Sequence, residues 1–199
     1  MSHASVLPVG SQAFATELVT ERLKLIPVNA DVAAELNAAI VASIDELSPW
    51  LPWAKTCPTV ADTAEFCALS AQQISARTDF PLVMRHGESL EVLGSVGLHR
   101  IDWSVPAFEV GYWCATAHTG NGYVTEGVRA LARYVFEELG AERLSLHADP
   151  RNRGSCAVAE RLGFQLDGVL RHDTRDNDDR PADTAIYSLV SLAEMRDGR

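Results

Sequence analysis

Residues 109–139, EVGYWCATAHTGNGYVTEGVRALARYVFEEL, constrain the chain more than any other stretch. They open on a short apolar and aromatic run, pass through a loop carrying Gly120 and Gly122, and then take up a helical rhythm. From Tyr123 onward Val124, Val128, Leu131, Ala132, Val135, Phe136 and Leu139 recur at spacings of three and four, with Arg129, Arg133, Glu137 and Glu138 mostly between them. One face of a helix is therefore buried. The order is strand, tight loop, helix.

The loop ahead of such a helix has a specific capability. The first N–H groups of a helix lack intrahelical partners and carry the positive end of its dipole, so they can receive a phosphate without a cationic side chain. Gly120 and Gly122 would permit positive φ and close approach of a ligand to the backbone. The same glycines equally suit a plain strand-to-helix turn. Neither G-x-G-x-x-G nor a Gly-Lys-Ser/Thr P-loop is present, so the common dinucleotide and nucleotide fingerprints are not met.

A chain of 199 residues with 47% hydrophobic and 22% charged content supports one sizeable core and a single domain. The net charge of −10 speaks against nucleic acid as a partner and suits a cationic substrate better. Cys57, Cys67, Cys114 and Cys156 show neither zinc-ligand spacing nor a disulfide framework, so reduced thiols and no metal are expected. No apolar run approaches a membrane span, and residues 1–16 lack the basic start and apolar core of a signal peptide. A cytoplasmic protein with no membrane partner is the expectation, with residues 1–16 a flexible arm and 193–199 a tail.

Along the chain, residues 22–25 alternate polar and apolar before Pro27, as a half-buried strand does. Asn29 or Asp31 would cap a helix with Val32, Leu36, Ile40, Val41 and Ile44 inward, ending near Ser48 and Pro49. Thr59 or Asp62 starts a second helix reaching about Arg77, with Phe66, Leu69 and Ile74 as its buried candidates. Residues 80–86 and 92–101 read as a hairpin turning at Gly87 and Glu88, and 108–115 as the next strand. After the central helix come a strand at 143–147, a helix begun by Asn152 or Ser155 and ended by Gly163, and strands at 164–170 and 185–192. RDNDDRPAD at 175–183 reads as a charged turn or mobile loop. About six or seven strands with four helices suit an α+β layer arrangement.

Four stretches carry a family resemblance. GYWCATAHTGNGYVTEGVRAL is similar to motif A of the GNAT superfamily of N-acetyltransferases, in the RimJ/RimL-type branch of protein N-terminal acetyltransferases. TERLKLIPV (20–28) resembles that branch's first strand, SPWLPW (48–53) its tryptophan segment, and DPRNRGSCAVAERLGFQLDG (149–168) its motif B. They stand in the family's order. The resemblance implies a GNAT fold over a single domain, residues 17–192: a mixed, mostly antiparallel twisted sheet flanked by helices, with a splay between strands 108–115 and 143–147. It also implies acetyl-CoA as co-substrate. Thr119 and Val124 depart from the family, which has Gln or Arg at the first position and Gly or Ala at the last.

Residue by residue, the resemblance puts Trp113, Cys114 and Ala115 on the strand whose backbone pairs with pantetheine. It makes Thr119, Gly120, Asn121, Gly122, Tyr123, Val124 and Thr125 the cradle of the pyrophosphate. Asn152 would contact the pantetheine arm and Ser155 the leaving thiolate, a task that many GNAT proteins give to a tyrosine where this chain has Ala159. Ser155 also fits a first-turn capping hydroxyl. Cys114 has no basic partner in sequence, so it reads as a packed strand cysteine, and a backbone N–H near it is the candidate oxyanion donor.

For the amine's proton, the branch's late-loop glutamate aligns with Thr174, leaving adjacent Asp173 or Glu109 as catalytic candidates. Each also fits an ordinary solvated carboxylate. His99, His118, His147 and His172 read first as structural. Trp50 and Trp53 suit either a wall of the acceptor site or a plug under a loop. Acetyl transfer to a primary amine, first of all a protein or peptide N-terminus, by direct attack in a ternary complex is the implied activity. A small-molecule or amino-acid N-acetyltransferase and a non-catalytic acyl-CoA-binding module are the alternatives, and a homodimer is left open.

Overall fold

A computed structural model describes residues 13–196 of the chain. Eight strands form one sheet: β1 Leu18–Val19, β2 Leu23–Pro27, β3 Phe80–His86, β4 Val92–Asp102, β5 Ala107–Cys114, β6 Arg143–Ala148, β7 Gln165–Arg175 and β8 Pro181–Leu189. Their order is β1-β2-β3-β4-β5-β6-β8-β7, and every neighbouring pair is antiparallel except β5 with β6. Five α-helices pack on the sheet: α1 Ala33–Val41, α2 Ile44–Leu47, α3 Val60–Ala76, α4 Tyr123–Glu137 and α5 Arg153–Leu162. This is the expected α+β arrangement.

The helix α4 organises the core as its spacing predicts. Val128, Leu131, Ala132 and Val135 are wholly buried against Leu23, Met84, Val96 and Leu144 in one apolar cluster. Burying each such side chain is worth roughly 1.5–3 kcal/mol. The decisive feature lies beside it. β5 and β6 pair in parallel only from Ala107↔Arg143 to Glu109↔Ser145, and beyond that register they diverge. The expected splay is present.

Several expectations need correction. The sheet has eight strands rather than six or seven, the added one being the two-residue β1. The first long helix divides into α1 and α2, making five helices rather than four. At the break, buried Ser43 donates its hydroxyl to the Ala39 carbonyl and accepts the N–H of Thr116, so a side chain competes with the helical ladder and ties the break to the loop after β5. Val41 is left exposed.

Helix α3 is rotated from its expected face. Phe66 and Leu69 are 45% and 50% exposed, whereas Thr63, Cys67 and Ser70 are buried. Small side chains let α3 lie against α1, and Thr63 accepts a hydrogen bond from buried Asn37. The helix starts with a complete capping box between Thr59 and Asp62.

The terminal segments are held where they are described. Phe14 is buried with its ring stacked 4.2 Å from that of Phe80, and the N–H of Ala15 donates to the Tyr134 hydroxyl. Residues 13–16 are therefore part of the fold; the rest of the expected arm, 1–12, lies outside the described residues. At the other end Arg196 donates its N–H to Leu162, and residues 197–199 lie outside the described residues. The last hairpin is longer than expected, and its charged tip is an ordered turn. There the Asp176 carboxylate accepts the N–H groups of Asp178 and Arg180, while Asn177 donates to the carbonyls of Ser48 and Leu51.

Candidate active site

The splay leaves one edge of β5 without a partner. Ala115 donates to Leu93 and Trp113 faces Ser95 in the β4 register, so the backbone groups of these odd-numbered residues point to β4. By the two-residue alternation of a strand, the backbone groups of Tyr112 and Cys114 point into the gap, while Val110 closes the last β5–β6 bond with its N–H and opens only its carbonyl onto the gap. Of the expected trio, Cys114 has its N–H turned toward the gap, whereas Trp113 and Ala115 have theirs committed to β4. The carbonyl of Ala115 is taken as well, by the N–H of His118.

The gap continues into the glycine loop. Gly120 and Gly122 adopt φ of 78° and 80°, the left-handed region that side chains resist, and Gly122 caps α4. A side chain at Gly120 would meet no atom within 4 Å, so open space lies over the loop. Asn121 turns inward: its amide donates to the carbonyls of His118 and Thr119, and it does not line the gap. Thr119 uses its hydroxyl on the Thr116 carbonyl. What remains for an anion is backbone and the Thr125 hydroxyl, which borders the cavity.

Arg22 braces this loop from β2's approach. Its guanidinium donates to the Asn121 carbonyl at 3.0 Å and to Glu126 at 2.7 Å, and lies 4.8 Å from the Tyr123 ring centroid. Burial pushes the Glu126 carboxyl up, but hydrogen bonds from Thr20 and Arg22 and the Arg22 charge together hold it below its ordinary value.

A cavity of about 680 Å³ runs along the splay. It is bordered by residues 109–114 of β5, by Gly120, Gly122, Tyr123, Val124 and Thr125, by His147 and Asp149, by Asn152 and Ser155, and by Trp50. On one face of β5 lies a hydroxyl pair: Tyr112 Oη stands 2.8 Å from Ser155 Oγ. Burial pushes the Tyr112 phenol up to about 12, the Ser155 hydrogen bond opposing it. The helix cap here is Asn152, whose side-chain oxygen accepts the N–H of Ser155. Ser155 is therefore not the capping hydroxyl, and its Oγ is turned to Tyr112. Burial also pushes the Cys114 thiol up to about 11, which makes it a poor nucleophile.

On the opposite face of β5 lies a charged cluster. Glu109 Oε2 stands 3.1 Å from His147 Nδ1 and 3.2 Å from Arg100 Nη1. Arg100 has φ of 46° at an irregularity of β4. Asp173 is elsewhere: it borders an adjoining groove of about 310 Å³ with Asp149, Asp176, Asp183, Arg100 and Arg175. Trp50, Pro52, His147, Ala148 and Asp149 border both spaces. Trp50 is 40% exposed and borders the cavity. Trp53 is 46% exposed and instead packs edge-on against Trp113, with ring centroids 6.2 Å apart.

Sequence reasoning missed Tyr112, Arg22 and Arg100, and it named Glu109 and His147 without bringing them together. Tyr112 was within reach, since strand alternation places it two residues from Cys114 on the open edge. Arg22 joins the approach to β2 with the loop and α4, and the Glu109–His147–Arg100 cluster joins three strands, so neither leaves a local signal.

The open edge, the uncrowded glycine loop and the cavity's length fit the pantetheine arm and pyrophosphate of coenzyme A. The family profile described as an acetyltransferase (GNAT) domain matches residues 22–165. The chain belongs to the GNAT acetyltransferase family and is an acetyl-CoA-dependent N-acetyltransferase. Among its relatives is YdaF of Bacillus subtilis (strain 168), provisionally named a ribosomal N-acetyltransferase. It is 34% identical over 176 residues, which cover 87% of this chain and 92% of the relative.

Two solved structures share the fold. The microcin C7 self-immunity acetyltransferase MccE, solved with acetyl-CoA and AMP, gives a TM-score of 0.81 at 23% identity and covers 86% of this chain and 93% of its own. RimL, the ribosomal L7/L12 α-N-protein acetyltransferase solved with coenzyme A, gives 0.82 at 19% identity, covering 88% and 97%. Among the described residues no helix is long and apolar enough to cross a membrane.

Proposed function

We propose that the chain acetylates a primary amine at the N-terminus of a protein or peptide, by direct attack on the thioester in a ternary complex. The observation that carries this reading is the groove joined to the cavity at Trp50, His147 and Asp149. A small amine needs only the junction, whereas a peptide needs somewhere to lay the residues behind its terminal amine. The acidic side chains along the groove suit a cationic acceptor. The name of YdaF supports a protein acceptor in the same direction.

In this reading the backbone of Val110, Tyr112 and Cys114 receives pantetheine as an added strand, and the N–H groups of the 120–125 loop receive the pyrophosphate. The free amide of Asn152 holds the arm. The Cys114 N–H faces the thioester oxygen as it gains charge, Ser155 gives its proton to the departing thiolate, and Trp50 walls the acceptor. Glu109 borders the place where the amine arrives, while Asp173 meets the chain behind it.

Release of CoA thiol should be measured against peptides of varied first residue and against small amines. Peptides should exceed small amines in kcat/KM by about 10²-fold, the scale set by remote binding energy used at the reacting centre. Equal or better turnover of small amines would favour a small-molecule enzyme. Binding of acetyl-CoA with no thiol released from any acceptor would favour a binding module.

A further inference from the structure

The cavity and the groove meet over a short stretch, and among the described residues only two titratable side chains border both: His147 and Asp149. An acceptor amine coming from the groove must reach the thioester through this junction. Asp149 is already engaged. Arg151 grips it with hydrogen bonds of 2.6–3.0 Å, which hold the carboxyl below its ordinary value. A carboxylate so paired accepts a proton poorly.

His147 is placed differently. Its Nδ1 lies 3.1 Å from Glu109 Oε2, and a carboxylate oxygen only accepts, so the contact favours the tautomer with hydrogen on Nδ1. Nε2 is then the basic nitrogen. Arg100 Nη1 makes a longer approach of 3.5 Å to the same Nδ1 and steadies Glu109 from the other side. On β6 and β5 the pair occupies the face opposite Tyr112 and Ser155. An amine proton would leave on one side of the sheet while the thiolate is protonated on the other.

We infer that His147 is the base that takes the proton from the acceptor ammonium, and that Glu109 is a positioning residue that orients its ring. The inference rests on the acetyl-transfer reading above. In the step, the ammonium N–H bond breaks and its proton passes to His147 Nε2, directly or through one water. The amine lone pair forms the bond to the thioester carbon, the C–S bond breaks with its electron pair going to sulfur, and Ser155 gives that thiolate its proton; the amide nitrogen sheds its second proton to solvent, from which Ser155 is reprotonated. The imidazolium then returns the proton to solvent. The charged groups facing His147 are Glu109 from β5, Arg100 from β4, Asp149 at its own strand's end, and Asp173, Asp176, Asp183 and Arg175 across the groove.

The test compares the full chain with His147→Gln and Glu109→Gln, using a peptide with a free α-amine and the same peptide carrying a terminal aminooxy group, which is neutral at the assay pH. His147→Gln should lower kcat/KM for the α-amine peptide about 10²-fold near pH 7, the range of general-base contributions. The loss should shrink to under ~10-fold for the aminooxy peptide, which has no proton to give up before attack. Coenzyme A affinity by calorimetry should stay unchanged. Glu109→Gln should lower kcat for the α-amine peptide with KM little changed, and Glu109→Asp, which keeps the carboxylate that orients the ring, should restore part of the loss.

Parent-like kcat/KM in His147→Gln from about pH 6 to 9, or an equal loss with both peptides, would overturn the assignment while leaving acetyl transfer intact. If the parent itself released no thiol with either peptide, the acetyl-transfer reading and the assignment would fall together.

Discussion

The two faces of β5 carry opposite chemistries, hydroxyl on one and ionic on the other. One carries Tyr112 against Ser155, dry enough that burial raises the phenol to about 12, in continuity with the core around Cys156 and Val158. The other carries Glu109 with His147 and Arg100, ionic and open to the acidic groove. A strand one residue thick thus separates an apolar hydroxyl environment from a charged one. The arrangement suits a reaction that must take a proton from an amine and give one to a thiolate without the two groups neutralising each other.

The comparison can be broken most sharply at Ser155. Ser155→Ala should lower kcat about 10²-fold while changing coenzyme A affinity only a few-fold, since thiolate protonation matters only as the bond breaks. Unlike the loss at His147, it should not shrink with an aminooxy acceptor, and stopped assays with both peptides read the difference. Equal turnover of Ser155→Ala and parent would remove chemistry from the dry face.

Tyr112→Phe should have a smaller effect, about 10-fold in kcat, because it removes only a hydrogen bond that orients Ser155. Combined with Ser155→Ala it should add little further, as expected for groups acting as a unit. Full additivity in that double-mutant cycle would separate the two hydroxyls.

Gly122→Ala tests the loop apart from both faces. A side chain at φ 80° costs about 1–2 kcal/mol, which the free loop can relieve by rearranging, so calorimetry should show coenzyme A binding weakened by about 5- to 30-fold with kcat for bound substrate largely kept.

The smallest effect belongs to Glu126→Gln. The folded-state pKa of Glu126 is depressed, so its stabilisation is fully present above the unfolded value near 4.5 and is lost as pH falls through the folded value. Thermal melts should show the variant less stable than the parent at pH 7, with the gap narrowing below about pH 4. Neither proton-transfer face should respond.

How much of this was readable in the sequence depends on how local each feature is. The buried face of α4 follows from spacing alone, and Val128, Leu131 and Val135 are where the periodicity puts them. The splay was available only through the family resemblance. The α3 face was misread because Phe66 and Leu69 look like core, and only the closeness of α1 explains why Thr63, Cys67 and Ser70 are buried instead. Ser155 and Asn152 both read as helix starters, and the structure separates them by one hydrogen bond. His147 alternates with apolar neighbours like any strand residue. Its meaning depends on Glu109 and Arg100, which come from other strands, and no local pattern carries that.

The central claim is that β5 keeps its far edge free for the coenzyme, and residue-resolved amide exchange with and without coenzyme A addresses it directly. The N–H of Cys114 should exchange rapidly in the free protein and slow markedly on saturation, while Trp113 and Ala115 are already slow and stay so. A Cys114 amide protected in the free protein, or indifferent to saturating coenzyme A, would contradict the account.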